Sequence, residues 1–192
     1  MVRLAAFATA MDVCDPALAA HAARVGSNAE AVATRLGWDD EQLEALRLGA
    51  ALHDVGKVNV RPEVLGKPGL LDERERAEMR AHPVEGTWLI AGVPSLSPAL
   101  PYVLFHHERW DGAGYPTRRA GVAIPLEGRV LAVADAFDAM TSARPYRRTL
   151  SVAEAADEIL RCAGTQFDPD VAGAFIEALE AEEILCGEAV AA

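Results

Sequence analysis

The chain has 192 residues, 51% of them apolar and 24% charged, enough for one domain with a proper core and too apolar for intrinsic disorder. A formal net charge of −11 works against binding DNA, RNA or an anionic membrane through the bulk surface, so a phosphate-bearing ligand needs a local positive site. Only 6% of residues are aromatic and strand-like alternation is nearly absent, so an all-α fold is expected.

Residues 1–14 read as a helical lead-in. The run Met1 to Ala10 faintly imitates a signal peptide, but its apolar stretch is short and Arg3 alone supplies its positive region. No apolar run nears the roughly 18–20 residues that span a bilayer. Helical periodicity follows near 16–36 and 40–53, the second opened by an Asp39–Gln42 capping-box pattern. Residues 56–71 carry Gly56, Pro62, Gly66, Pro68 and Gly69 and read as a loop. Helical patterns resume near 73–81, behind Asp72 and Glu75, and again near 84–92 and 97–107. A second glycine- and proline-rich stretch, 108–125, reads as a structured loop, and loops of this length in a small domain are commonly functional.

Beyond it lie a helical pattern near 127–143 and a Ser151–Glu154 capping box. Asp168-Pro169 then opens a last helix through Phe175, Ile176 and Leu179. Trp38 and Trp88 are assigned to the core. From Glu180 to Ala192 the chain is acidic and alanine-rich and is expected to fray. Cys14, Cys162 and Cys186 lie far apart with no CxxC pair, which suits reduced thiols in a cytoplasmic protein.

The chemistry-bearing residues cluster in the pattern. The chain has five histidines (His21, His53, His82, His106 and His107), with Asp54 directly after His53 and His106 paired with His107 ahead of the glycine-rich loop. Imidazoles and carboxylates converging on one point are the common way to hold catalytic divalent metals. Neighbours at a helix end point about 100° apart, so His53 and Asp54 reach one ion only if the chain turns there, as Gly56 allows. Taken alone, the dipeptide is far better explained as a helix-end His and Asp satisfied by backbone groups.

The wider context narrows that choice. Leu52-His53-Asp54-Val55-Gly56-Lys57 resembles the HD-domain phosphohydrolase signature. His106-His107-Glu108-Arg109-Trp110-Asp111-Gly112-Ala113-Gly114-Tyr115-Pro116 resembles that of the HD-GYP subfamily, the bacterial cyclic di-GMP phosphodiesterases. Further matching blocks are His21 to Val25, Lys67-Pro68-Gly69 with His82-Pro83, Ala134 to Ser142, Arg144 to Arg147 and Gln166 to Pro169, so the resemblance runs over roughly 15–176. It implies a single HD-GYP helical bundle at 15–179.

The resemblance implies two metal sites. One would use His21, His53, Asp54 and Asp135, the other Asp54 again with His82, His106 and His107. It favours iron or manganese, with zinc, nickel or cobalt admissible from the donor types. A third metal in some family members uses a glutamate four residues before the first histidine, where this chain has Ala17, so two ions are expected. His53, Asp54 and Lys57 would form the catalytic group, with a metal-bridging hydroxide attacking phosphorus. Lys57 would contact the scissile phosphate, Arg144 and Arg147 the substrate's phosphate and guanine, and Tyr115 and Pro116 would shape the substrate lip. Asp138 would hydrogen-bond a ligand without binding metal itself, Trp110 would anchor its loop, and Arg24 would pack beside His21.

The implied reaction opens cyclic di-GMP to pGpG, with GMP as a further product. Two rivals remain: hydrolysis of 3′,3′-cyclic GMP-AMP or another nucleotide phosphoester, and a non-catalytic module that binds the dinucleotide and signals. Both a homodimer and a separate regulatory partner are compatible with the sequence.

Overall fold

A computed structural model describes residues 16–142 and 148–186. Helix α1 (Pro16–Arg35) and α2 (Asp40–Leu52) lead to a 3-10 turn at Val55–Asn59, the short α3 (Pro62–Leu65), α4 (Glu73–Arg80) and α5 (His82–Ala91). A second 3-10 segment (Pro94–Ala99) feeds α6 (Leu100–Phe105), and a third (Gly121–Ala123) precedes α7 (Leu126–Thr141), α8 (Val152–Arg161) and α9 (Pro169–Glu180). Among the described residues there is no strand, only an isolated bridge between Ala163 and Phe167. The fold is all-α, as composition and periodicity indicate.

Local rules account for most helix starts. Asp39 with Gln42, Asp72 with Glu75 and Ser151 with Glu154 each form a reciprocal capping box, satisfying two orphan backbone donors apiece. Asp168 accepts from the Asp170 amide, with Pro169 in the first turn. Packing then supplies the rest. The main core gathers Val25, Ala29 and Val32 of α1, Leu46 of α2, Val133 and Phe137 of α7, and Phe175 of α9. A smaller cluster of Leu52, Val55, Ile90, Leu96 and Val103 binds α5 and α6 to the end of α2.

Four expectations need correction. The stretch 56–71 is not plain loop, because Pro62 at a first-turn position starts α3 and Gly66 ends it. The pattern at 97–107 begins as a 3-10 segment containing Pro98, which cannot donate to an α-helical ladder, and turns α-helical only at Leu100. Trp38 is partly buried against the core, but Trp88 is 76% exposed. In α5 the buried positions are His82, Pro83, Gly86 and Ile90, a face with helical spacing that leaves residue 88 on the outer side. After α9, Ile184 is buried, the Asn28 amide donates to the Leu185 carbonyl (2.9 Å), and the Leu185 amide donates back to Asn28 Oδ1 (2.7 Å). The chain therefore stays docked through Leu185, past the point where fraying was expected. The lead-in at 1–14 and the end of the tail lie outside the described residues, as does Cys14; no described helix is long and apolar enough to cross a membrane.

The arrangement brings helix ends together. His53 caps the C-terminus of α2, His82 opens α5 and His106 caps α6, while His21 and Asp135 sit within α1 and α7. Gly56 lets the turn after Asp54 press against α5: a Cβ there would stand 2.0 Å from the His82 carbonyl oxygen and 2.5 Å from the Gly86 nitrogen. Backbone cannot yield as a flexible side chain can. Gly56→Ala is therefore expected to destabilise the fold by about 1–3 kcal/mol, read as a lower urea midpoint; an unchanged midpoint would contradict this close approach.

Candidate metal centre

The five imidazoles and two carboxylates anticipated from the sequence meet around Asp54. Its Oδ1 lies 3.2 Å from His82 Nε2 and 3.9 Å from His106 Nε2, and its Oδ2 lies 3.4 Å from His53 Nε2. Donor atoms of Asp54, His82, His106 and His107 fall within 4.8 Å of one another, as do those of His21, His53 and Asp54. Asp135 adjoins the second set, its Oδ1 3.3 Å from His21 Nε2.

Outer hydrogen bonds decide which nitrogen each ring presents. His53 Nδ1 meets the Ala50 carbonyl (2.7 Å), His82 Nδ1 the Met79 carbonyl (2.9 Å), and His106 Nδ1 the Val103 carbonyl (3.0 Å). A carbonyl only accepts, so Nδ1 carries the proton and the Nε2 lone pair faces inward. Those inward atoms lack partners of their own. His53 Nε2 and Asp54 Oδ1 are buried without a hydrogen bond, and the His82 and His106 Nε2 atoms face each other at 3.2 Å. Buried polar atoms are rarely orphaned unless a ligand completes them. A mixed nitrogen and oxygen donor set with fixed tautomers and inward lone pairs fits divalent metal ions.

Charge is distributed unevenly. Burial alone would raise the Asp54 carboxyl, but His53, Lys57, His82 and His106 hold it well below the usual carboxylate range. Asp135 is likewise depressed against its burial, chiefly by His21, then by His53 and His107. Burial pushes His106 well below its ordinary value and His107 down to about 4, so both rings are neutral at physiological pH. His21 behaves oppositely: burial disfavours its charge, yet Asp135 and Asp138 raise it to about 9. The acids are ready for a cation, while His21 must first surrender a proton.

Asp138 takes the supporting place foreseen for it, accepting from His21 Nδ1 at 2.6 Å. Arg24 does more than pack. Its Nε donates to Asp138 Oδ1 (2.5 Å), and its Nη2 reaches Asp138 Oδ2 and Ser142 Oγ, each at 3.1 Å. Lys57 bonds Asp54 Oδ2 directly, at the edge of both ligand sets.

The loop after His107 is built tightly. Tyr115 stacks on His107 with ring centroids 4.8 Å apart, and its amide donates to the His107 carbonyl (3.1 Å). Pro116 follows, half-buried, through a cis peptide bond. Trp110 anchors the loop through its amide to the Gln166 carbonyl (3.1 Å). Sequence reading assigned no role to Glu108, although it is 4% exposed. Its Oε1 accepts from the Thr117 amide (2.6 Å), the Thr117 hydroxyl (2.8 Å) and the Arg118 amide (3.1 Å). Gly114 passes so close that a Cβ would lie 2.4 Å from the Arg109 nitrogen. No periodicity advertises Glu108; its place directly after the His106-His107 pair was its sole signal in the sequence. Arg144 and Arg147, the expected substrate contacts, lie outside the described residues.

Two cavities flank the centre. A groove of about 700 Å³ between α1 and α2 reaches His53 and Asp54. A cavity of about 400 Å³ is lined by His106, His107, Asp135 and Tyr115, among others.

Comparison with known proteins agrees with this geometry. The family model for the HD domain matches residues 7–171. The chain is 37% identical over 187 residues to the cyclic di-GMP phosphodiesterase response regulator RpfG of Xanthomonas campestris, covering 96% of this chain and 50% of that protein. It is 34% identical over 160 residues to 3′3′-cGAMP-specific phosphodiesterase 2 of Vibrio cholerae, covering 82% of this chain and 31% of that one. The chain thus spans half or less of these relatives. The crystal structure of a cyclic GMP-AMP-specific phosphodiesterase from V. cholerae, V-cGAP3, has a similar fold, with a TM-score of 0.64, 21% identity, and coverage of 83% of this chain and 44% of that one.

Two measurements probe the centre. Because His21 is protonated up to about pH 9, metal uptake by the apoprotein at pH 7 should expel its proton. Affinity should then rise about tenfold per pH unit towards pH 9 and flatten above it. Calorimetry in buffers of different ionisation enthalpy reads the proton, and pH-independent affinity would refute the assignment. Asp138→Asn, which removes the carboxylate behind His21, should weaken metal binding about 10- to 100-fold without unfolding the chain, as measured by competition with a chromophoric chelator.

Proposed function

The chain belongs to the HD domain family, in its HD-GYP branch, and from that premise we propose that it is a metal-dependent phosphodiesterase opening cyclic di-GMP to linear pGpG. The observation carrying this reading is the pair of donor groups that share Asp54, with inward Nε2 atoms and orphaned buried atoms at their meeting point. The 37% identity to RpfG supports cyclic di-GMP as the substrate.

In this reading His21, His53, Asp54 and Asp135 hold one ion, and Asp54, His82, His106 and His107 hold the other, with iron or manganese preferred. Bound divalent ions supply Lewis-acid charge for the phosphoryl oxygens and a water acidic enough to attack at neutral pH. The chain's own residues do the rest. Asp54 and Asp135 stay ionised, so they neutralise part of the metal charge and leave the pocket positive within an acidic protein. Lys57, held beside the ligands by Asp54, would turn its ammonium from that carboxylate to the scissile phosphate. Arg144 and Arg147 contact the phosphate and guanine, and Tyr115 with Pro116 forms the lip. Asp138 fixes the His21 ring so that its Nε2 points at Asp135.

A second substrate has a specific observation behind it: the 34% identity to a 3′3′-cGAMP-specific enzyme. Turnover across a panel of cyclic dinucleotides separates the two. Anaerobic purification with elemental analysis should find two ions per chain. Replacing His53 and Asp54 together with alanine should remove metal and lower cyclic di-GMP turnover by at least about 1,000-fold, the scale on which loss of a member of a catalytic unit acts. Parental turnover in that variant would refute the site. Tight dinucleotide binding without hydrolysis in the metal-loaded protein would instead make it a signalling module.

A further inference from the structure

A cyclic dinucleotide carries two phosphodiesters. If one lies at the metal ligands, the other must also enter a chain of net charge −11. The 400 Å³ cavity beside His107 has two arginines in its lining, Arg80 and Arg109. Arg109 is already engaged: it pairs with Asp111 (2.6 Å), and its Nη1 donates to Gln166 Oε1 (3.0 Å). Arg80 differs. Its guanidinium lies over the Tyr115 ring, 5.2 Å from the centroid, and no carboxylate pairs with it among the described residues. It ends α4, two residues before His82, and the ring that holds it is itself stacked on His107.

We propose that Arg80 binds the non-scissile phosphate of the cyclic dinucleotide, with Tyr115 setting its distance from the metal ligands; this rests on the phosphodiesterase reading above. The aromatic face holds a guanidinium by cation–π attraction and leaves its N–H edge open. That planar edge matches two phosphate oxygens at once. Tyr115 thereby gains a task beyond shaping the lip, since it links a metal ligand to a phosphate receptor. Arg80 acts on charge and not on base identity, so it contributes equally to guanine- and adenine-containing substrates.

The test compares the metal-loaded parent, Arg80→Ala and Arg80→Lys on cyclic di-GMP and 3′,3′-cyclic GMP-AMP. Arg80→Ala should raise KM about 10- to 100-fold, the range for a charge-assisted hydrogen bond. The rise should be the same for both substrates, with metal content retained and kcat changed much less than KM. Arg80→Lys should recover part of the loss, because it keeps the charge without the fork. An unchanged KM, a shift confined to one base, or loss of metal along with turnover would each overturn the assignment. Equilibrium binding of a hydrolysis-resistant phosphorothioate cyclic di-GMP is measured alongside. If the parent turns over no cyclic dinucleotide, the phosphodiesterase reading fails, and this binding measurement decides Arg80 separately: equal affinity in parent and Arg80→Ala overturns it, and a weaker variant sustains it.

Discussion

The structure turns on imidazoles whose outer nitrogens are already committed. His53, His82 and His106 each spend Nδ1 on a carbonyl of the preceding turn, and His21 spends it on Asp138. With the Nδ1 proton fixed outside, each ring has one orientation; His53, His82 and His106 turn a lone pair inward, while His21 gains one only when its second proton leaves. The surrounding fold is arranged to make this possible. Three of those rings stand at helix ends, where carbonyls of the last turn lack intrahelical partners and can accept from a side chain. Helix termination and ligand orientation are thus a single piece of local geometry.

Bringing the ends together needs close backbone approach, not a large core. The cluster under α5 and α6 is small, and Gly56 lets the turn after Asp54 touch the start of α5. On the other side, α7 supplies Asp135 to the centre and Asp138 to the support of His21, three residues apart and hence on neighbouring positions of one helix face. Glu108 performs the equivalent service for the loop by gathering three donors onto one carboxylate oxygen.

Much of this was legible in the chain because it is local. A capping box is decided by residues three apart, and all three of those anticipated are formed. The gathering of His21, His53, Asp54, His82, His106, His107 and Asp135 was legible through its resemblance to HD-GYP blocks, not through periodicity. What escaped depends on contacts between distant segments. Trp88 was assigned to the core on residue type, but its exposure follows from which face of α5 the neighbouring helices cover. The docking of Leu185 depends on Asn28, 157 positions earlier, and no local pattern marks such a pair. Arg24 looked like a packing residue because its partner, Asp138, is 114 positions away.

That last separation has a consequence for how the molecule is made. The hydrogen bond from His21 to Asp138 closes a span of 117 residues. A chain emerging from the ribosome at about 5–20 residues per second exposes His21 many seconds before its partner exists. During that interval α1 has no carboxylate to orient its histidine, and half of the centre is absent. In the two-site reading, the site that uses His21 and Asp135 could be completed only after α7 has been synthesised and packed. At that site an ion would therefore meet a nearly complete domain, and not an early peptide whose loose histidines would take the tightest-binding ion available.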